Sequence, residues 1–176
     1  MRTIALGGVA LFAGAGLTGP AAAQGLPVGC VQEGWRWCRK CQGMFYGRAS
    51  ASAGGLGRCP AGGAHDPSQS GHYYQRIGGD IANVQQGGWS WCSKCMGLFY
   101  SRASAGMGRC PAGGAHTNAG SSAYASILGN AATGQQGNWR WCRKCQGMFY
   151  RGNGLGVCPA GGGHDPSASG QYASLT

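Results

Sequence analysis

Three sets of cysteine and histidine recur along the chain with matched internal spacing. They are Cys38, Cys41, Cys59 and His65; Cys92, Cys95, Cys110 and His116; and Cys142, Cys145, Cys158 and His164. Each set reads C-x2-C, then a third cysteine, then a histidine after five intervening residues. The segment between second and third cysteine shrinks from 17 to 14 to 12 residues, so only its ends are held constant. Four soft or borderline ligands arranged as two pairs suit a closed tetrahedral Zn2+ site. The expectation is three zinc ions per chain. A C-x2-C turn can point backbone N–H groups at its sulfurs. Gly43, Gly97 and Gly147, two residues past the second cysteine, stand where such a turn often needs a positive φ.

Disulfide pairing is the competing chemistry, because an exported chain meets an oxidising environment. Stoichiometry weighs against it: each repeat has three cysteines, and pairing within the repeat leaves one over. Nor would pairing explain a histidine at a constant offset. Cys30 has no counterpart in the later repeats, where Val84 and Gly134 take its place. It reads as a free thiol or an intermolecular disulfide partner; a lipobox around it would be weak, with Pro27 at an aliphatic position.

The run Trp-x-Trp-Cys-x-Lys-Cys-x-Gly-x-Phe-Tyr, at Trp35–Tyr46, Trp89–Tyr100 and Trp139–Tyr150, resembles the first knuckle of zinc-ribbon proteins. The resemblance covers about a dozen residues per repeat and implies a strand entering the knuckle and another leaving it. The second half departs from a ribbon, with Cys-Pro-Ala-Gly-Gly-x-His in place of another C-x-x-C. That half is similar to repeats of secreted proteins.

The elements that hold these ligands read as strands. Trp35 and Trp37 lie two apart, so in extended chain they share a face while Arg36 points away. Met44-Phe45-Tyr46 is rich in β-formers. A third strand is expected at His72–Ile77, Ser122–Leu128 and Gln171–Leu175, each carrying a tyrosine. No segment keeps apolar residues at helical spacing over two turns. The fold class is therefore all-β: three tandem small antiparallel units, each with two Cys-bearing turns. Gly/Ala/Asn/Gln-rich connectors span Gly78–Gly88 and Gly129–Asn138. Repeats of about 50 residues could close with pseudo-threefold symmetry, as in a β-trefoil or β-prism, or string out as beads. The divisions are residues 24–77, 78–128 and 129–176.

Residues 1–23 have the layout of a secretory signal peptide: Arg2, an apolar stretch Ile4–Leu17, and Pro20-Ala-Ala-Ala23 before Gln24. The apolar stretch is too short to span a membrane, and none later is longer. An extracellular or periplasmic location is expected. The remaining 153 residues hold only 16 Ile, Leu, Val and Phe, against six Trp, seven Tyr and ten Cys. So little aliphatic core implies folding through cross-links.

After Arg2 is removed, 13 basic residues face four acidic ones, for a net charge of +9. This favours anionic partners. Lys40, Lys94 and Lys144, between the paired cysteines, fit local charge balance, since a zinc centre with three thiolates and one imidazole is itself −1. The Trp pairs must supply core, with at least one Trp of each pair buried. The others offer stacking surfaces for sugars. Trp35, Arg36, Trp89, Trp139 and Arg140 are the ligand-binding candidates. The expected function is a non-catalytic binding protein for acidic or cell-surface glycans, with no nucleic-acid partner and an open oligomeric state. The alternatives are a disulfide-stapled toxin or antimicrobial module and, behind it, a secreted hydrolase. Catalysis is disfavoured because each ligand set is complete and Glu33 is the only glutamate.

Overall fold

A computed structural model describes residues 31–48, 55–104 and 106–176. The expected signal segment, residues 1–23, and Cys30 lie outside the described residues. Among the described residues, nine strands and one short 3-10 turn follow in order. The first repeat gives β1 (Val31–Trp37), β2 (Met44–Tyr46) and β3 (Tyr73–Ile77). The second gives β4 (Gln85–Trp91), β5 (Leu98–Tyr100) and β6 (Tyr124–Leu128). The third gives β7 (Gln135–Trp141), β8 (Met148–Tyr150), the turn Arg151–Asn153 and β9 (Tyr172–Leu175). No described helix is long and apolar enough to cross a membrane.

Each repeat is an antiparallel three-stranded unit with its first strand in the middle. In the first, Trp35 pairs with Tyr46 and, across the other edge, with Tyr73. The β1–β3 register slips between Gln32 and Trp35, where Gly34 has φ +94. The same bulge recurs before Trp89 and Trp139, with Gly88 at φ +83 and Asn138 at φ +62. A residue tolerant of the left-handed region is what such a bulge demands. β4 and β7 begin at Gln85 and Gln135. The glutamine-rich ends of the expected connectors are therefore strand. Their composition reads as loop, but β6 and β9 supply ladder partners for Gln86 and Gln136.

The repeats close on one another rather than string out. β3, β6 and β9 pair around a ring, through Arg76 with Ala125, Ile127 with Ala173, and Leu175 with Tyr74. At the knuckle end a second ring forms. The amides of Tyr46, Tyr100 and Tyr150 donate to the carbonyls of Met96, Gln146 and Gln42, each at 2.8 Å. The result is a nearly closed, barrel-like antiparallel sheet with pseudo-threefold repetition.

Aromatic residues build the core. Trp35, Trp89 and Trp139 are at most 1% exposed and pack with Met44, Leu98 and Met148. Each indole meets a tyrosine of another repeat nearly edge-on: Trp35 with Tyr124 at 5.2 Å, Trp89 with Tyr172 at 5.4 Å, and Trp139 with Tyr73 at 5.3 Å. T-shaped pairs contribute about 0.5–1.5 kcal/mol beyond area burial. The tyrosine hydroxyls bond to the same neighbouring repeat, Tyr73 donating to Gln136, Tyr124 to Gln32 and Tyr172 to Gln86. Gln75, Ser126 and Ser174 stand at equivalent, fully buried positions of the ring strands. The Gln75 amide donates to Ser174 Oγ at 2.9 Å. A buried amide placed this way needs its partner, so it ties β3 to β9.

Candidate metal centres

The turn between first and second strand carries the paired cysteines. In the first repeat Cys38 N donates to Gly43 O at 3.0 Å, and Gln42 N to Cys38 O at 2.8 Å. The left-handed residue is Gln42 (φ 67), with Met96 (φ 64) and Gln146 (φ 66) as its equivalents. This corrects the expectation for Gly43, Gly97 and Gly147. A Cβ on Gly43 would sit 3.4 Å from Cys41 Sγ, an ordinary van der Waals contact beside the bridge to Phe149, so neither backbone conformation nor crowding demands glycine there. The third cysteine opens a second tight loop, in which Cys59 N donates to Gly63 O and Gly62 N to Cys59 O. The histidine follows and stacks flat on the phenylalanine of the second strand, His65 on Phe45 at 4.5 Å. His116 on Phe99 and His164 on Phe149 repeat this.

All twelve expected ligands come together in three buried groups, with the donor atoms of each group within 4.8 Å of one another. The sulfurs of Cys38 and Cys59 are 3.8 Å apart, those of Cys92 and Cys110 3.9 Å, and those of Cys142 and Cys158 3.8 Å. The sulfurs of Cys41, Cys95 and Cys145 each lie 3.5 Å from the histidine Nδ1 of their group. A tetrahedron with Zn–S bonds of about 2.3 Å and a Zn–N bond of about 2.05 Å has edges of about 3.8 Å and 3.5 Å. A disulfide would bring two sulfurs to about 2.05 Å, and all nine described cysteines are free. The three sites fit three zinc ions per chain.

Electrostatics point the same way. As bare side chains, closely packed thiols share protons unevenly. Hydrogen bonds from Cys41 and Cys59 hold Cys38 far below the usual thiol range, while the hydrogen bonds with Cys38 and Cys59, together with burial, push Cys41 up. Burial pulls the His116 imidazole down, but the Cys110 and Cys92 sulfurs outweigh it and raise its pKa to about 9. A central dication lets all three sulfurs ionise at once. Backbone amides already aim at the first sulfur of each set: Asp66 N to Cys38 and Asp165 N to Cys142 at 3.3 Å, and Thr117 N to Cys92 at 3.5 Å.

The lysines between the paired cysteines close the far side. Lys40 Nζ donates to Gly62 O, Lys94 Nζ to Gly113 O and Lys144 Nζ to Gly161 O, at 2.7, 2.8 and 2.6 Å. They balance the charge of the centre and tie its two loops together. Arg39 pairs with Asp66 and Arg143 with Asp165 beside the centres. In the middle repeat both partners change, to Ser93 and Thr117, so neither charge is left alone.

Each centre also leans on the next repeat. His65 Nε2 lies 3.2 Å from Cys95 O, within hydrogen-bond reach of the neighbouring knuckle. Gly57, Gly108 and Gly156 press against the carbonyls of Cys95, Cys145 and Cys41 so closely that an added Cβ would meet the oxygen at 2.2 Å. In the first centre this partner on the second ring nitrogen fixes the tautomer that presents Nδ1 to metal, whereas Nε2 of His116 and of His164 is buried without a partner among the described residues.

The expected ligand-binding residues fare differently. Trp35, Trp89 and Trp139 are core and cannot stack on a sugar; this corrects the reading of them as platforms. Both tryptophans of a pair do face the core side, but the first is enclosed by tyrosines of two strands. The second, Trp37, Trp91 or Trp141, lies at the strand end and stays partly exposed. Arg36 and Arg140 turn to backbone carbonyls, of Gly71 and Trp139 respectively.

Some partners escaped the sequence reading. Ser70, Ser121 and Ser169 accept from the amides of Trp37, Trp91 and Trp141, each at 2.8 Å. Their recurrence at one offset after the histidine was the available signal. Gln42 and Gln146 accept from Trp37 and Trp141 Nε1 at 3.0 Å. Met96 stands at the equivalent position and leaves Trp91 Nε1 buried without an acceptor. Met96→Gln should therefore raise stability by about 1 kcal/mol, the net worth of one recovered hydrogen bond. The urea midpoint in saturating zinc measures it, and a lower midpoint would contradict the repeat-to-repeat equivalence. In comparisons with known proteins, the chain matches no family model, no curated protein and no solved structure.

Proposed function

We propose that this chain is an exported, non-catalytic binding protein that uses a zinc-stapled β scaffold to hold acidic glycans. The observation that carries the reading is a groove of about 760 Å³ between the second and third repeats, lined by Tyr100 and Trp141 together with Arg102, Arg143 and Lys144. A partly exposed indole beside several cations offers a sugar face and an anionic substituent their usual partners. The zinc centres act as staples on this reading, since four protein ligands leave no position for substrate.

Chromatography on immobilised heparin and on uncharged dextran tests it. Retention on heparin alone, weakening with salt, is expected because the attraction is largely electrostatic. Trp141→Phe should shorten retention while leaving zinc content unchanged. Equal retention on both matrices, or none on either, would overturn the proposal.

A further inference from the structure

The three Cys-Pro-Ala-Gly-Gly loops converge at one end of the pseudo-threefold axis and enclose a depression of about 680 Å³. It is separate from the groove at Trp141. Arg58 and Arg109 line it, each directly preceding a metal-ligating cysteine, and both are exposed. All four acidic side chains are engaged elsewhere: Glu33 with Arg48, Asp66 with Arg39, Asp80 with Arg102 and Asp165 with Arg143. None is left for Arg58 or Arg109. The negative charge of the zinc centres does not neutralise them either, because Lys40, Lys94 and Lys144 already sit on the same three loops. The loop backbones are accessible as well: a Cβ on Gly62, Gly113 or Gly161 would meet nothing within 4 Å.

Two guanidiniums without a hydrogen-bond or ion-pair partner among the described residues, facing one concavity of unobstructed glycine backbone, are the elements of an oxyanion site. We infer that the axial depression binds a sulfate or phosphate group, held between Arg58 and Arg109 over the glycine loops. The third repeat carries Val157 at the arginine position. The site is therefore two-armed, with one apolar wall.

The test is an amide and arginine Nε NMR titration of the zinc-loaded protein with sodium sulfate, sodium phosphate and a sulfated disaccharide, each against chloride of matched ionic strength. Saturable shifts at Gly62, Gly113, Gly161, Arg58 and Arg109 are expected. The variant Arg58→Val/Arg109→Val copies the residue the third repeat already uses, so the fold should stand, as its spectrum will report. It should weaken oxyanion binding by about tenfold or more, the effect of losing hydrogen bonds to a charged group. Trp141→Phe should leave these shifts unchanged. Inorganic oxyanions acting alone would identify the free ion as the source, and a tighter response to the disaccharide would identify a glycan substituent. The absence of saturable shifts, or shifts that survive the double substitution, would overturn the inference. Shifts by the disaccharide confined to the neighbours of Trp141 would overturn the axial site and leave the glycan reading standing. Axial shifts by sulfate without retention on heparin would do the reverse.

Discussion

Cys145→Ser should bring down the whole molecule, not one third of it. Structural zinc contributes about 10–16 kcal/mol in small zinc modules, against a total stability of about 5–15 kcal/mol for an ordinary domain. Losing one centre therefore removes as much as the fold has to lose. The question is whether the loss stays local, and three sets of contacts carry it round the ring. The knuckle holding Cys145 accepts Tyr100 N through Gln146 O. Its Cys145 carbonyl receives the second repeat's loop at Gly108. Its core tryptophan, Trp139, packs on Tyr73 of the first repeat. The expected result is that zinc falls from three ions to none at a chelator concentration the parent chain withstands. Near-UV circular dichroism, dominated by the six tryptophans, should vanish in one transition. A variant retaining two zinc ions and two thirds of the signal would show that the repeats fold independently. His164→Ala should act in the same direction, because imidazole is the fourth ligand; in a protein held by disulfides it would be nearly harmless.

How far the sequence reveals this arrangement depends on the range of the interaction. The ligand sets were legible because metal coordination demands specific residue types at short, repeated offsets. The strands were legible where aromatics and β-formers cluster, as at Met44–Tyr46 and Tyr124–Leu128. The ends of the connectors were misread because Gln85-Gln86 and Gln135-Gln136 become strand only through partners about 40 residues away, at Ser126–Ile127 and Ser174–Leu175. Closure of the ring was left open for a related reason: β3, β6 and β9 meet through one or two residue pairs at each junction. No local pattern specifies such a register. The buried Trp of each pair was also ambiguous. Trp35 and Trp37 share a face and each meets a tyrosine of another repeat; what separates them is that Trp35 is enclosed by Tyr46 and Tyr124 together, while Trp37 meets Tyr150 alone at the strand end. The left-handed position of the knuckle was placed one residue late, since Gln42 and not Gly43 has the unusual backbone conformation.

The interlock between repeats makes a sharper prediction at glycines that look dispensable. Gly156 and Gly161 both lie in the loop region of the third repeat, and both have positive φ, +55 and +95. Backbone conformation alone assigns alanine a similar cost at Gly156 and Gly161, about 1 kcal/mol. Their surroundings differ. At Gly161 an added Cβ meets nothing within 4 Å, whereas at Gly156 it would lie 2.2 Å from Cys41 O and 2.7 Å from Cys41 C. That neighbour is backbone in the first repeat's metal-bearing turn, so it cannot swing aside as a side chain could. Relief requires the third repeat's loop to back away from the first repeat's knuckle. The displacement also strains Val157 N, which donates to the same carbonyl. Gly156→Ala should therefore cost about 3 kcal/mol or more, a value reserved for overpacking and backbone strain combined, and Gly161→Ala about 1 kcal/mol. Denaturant midpoints in excess zinc give both. The Gly156 variant should also perturb the Cys38 site most, although its own repeat supplies no ligand there, and cadmium-113 spectra of substituted protein resolve the three sites. Equal costs for the two substitutions, or selective loss from the Cys142 site, would mean that the ring of carbonyl contacts does not couple the centres.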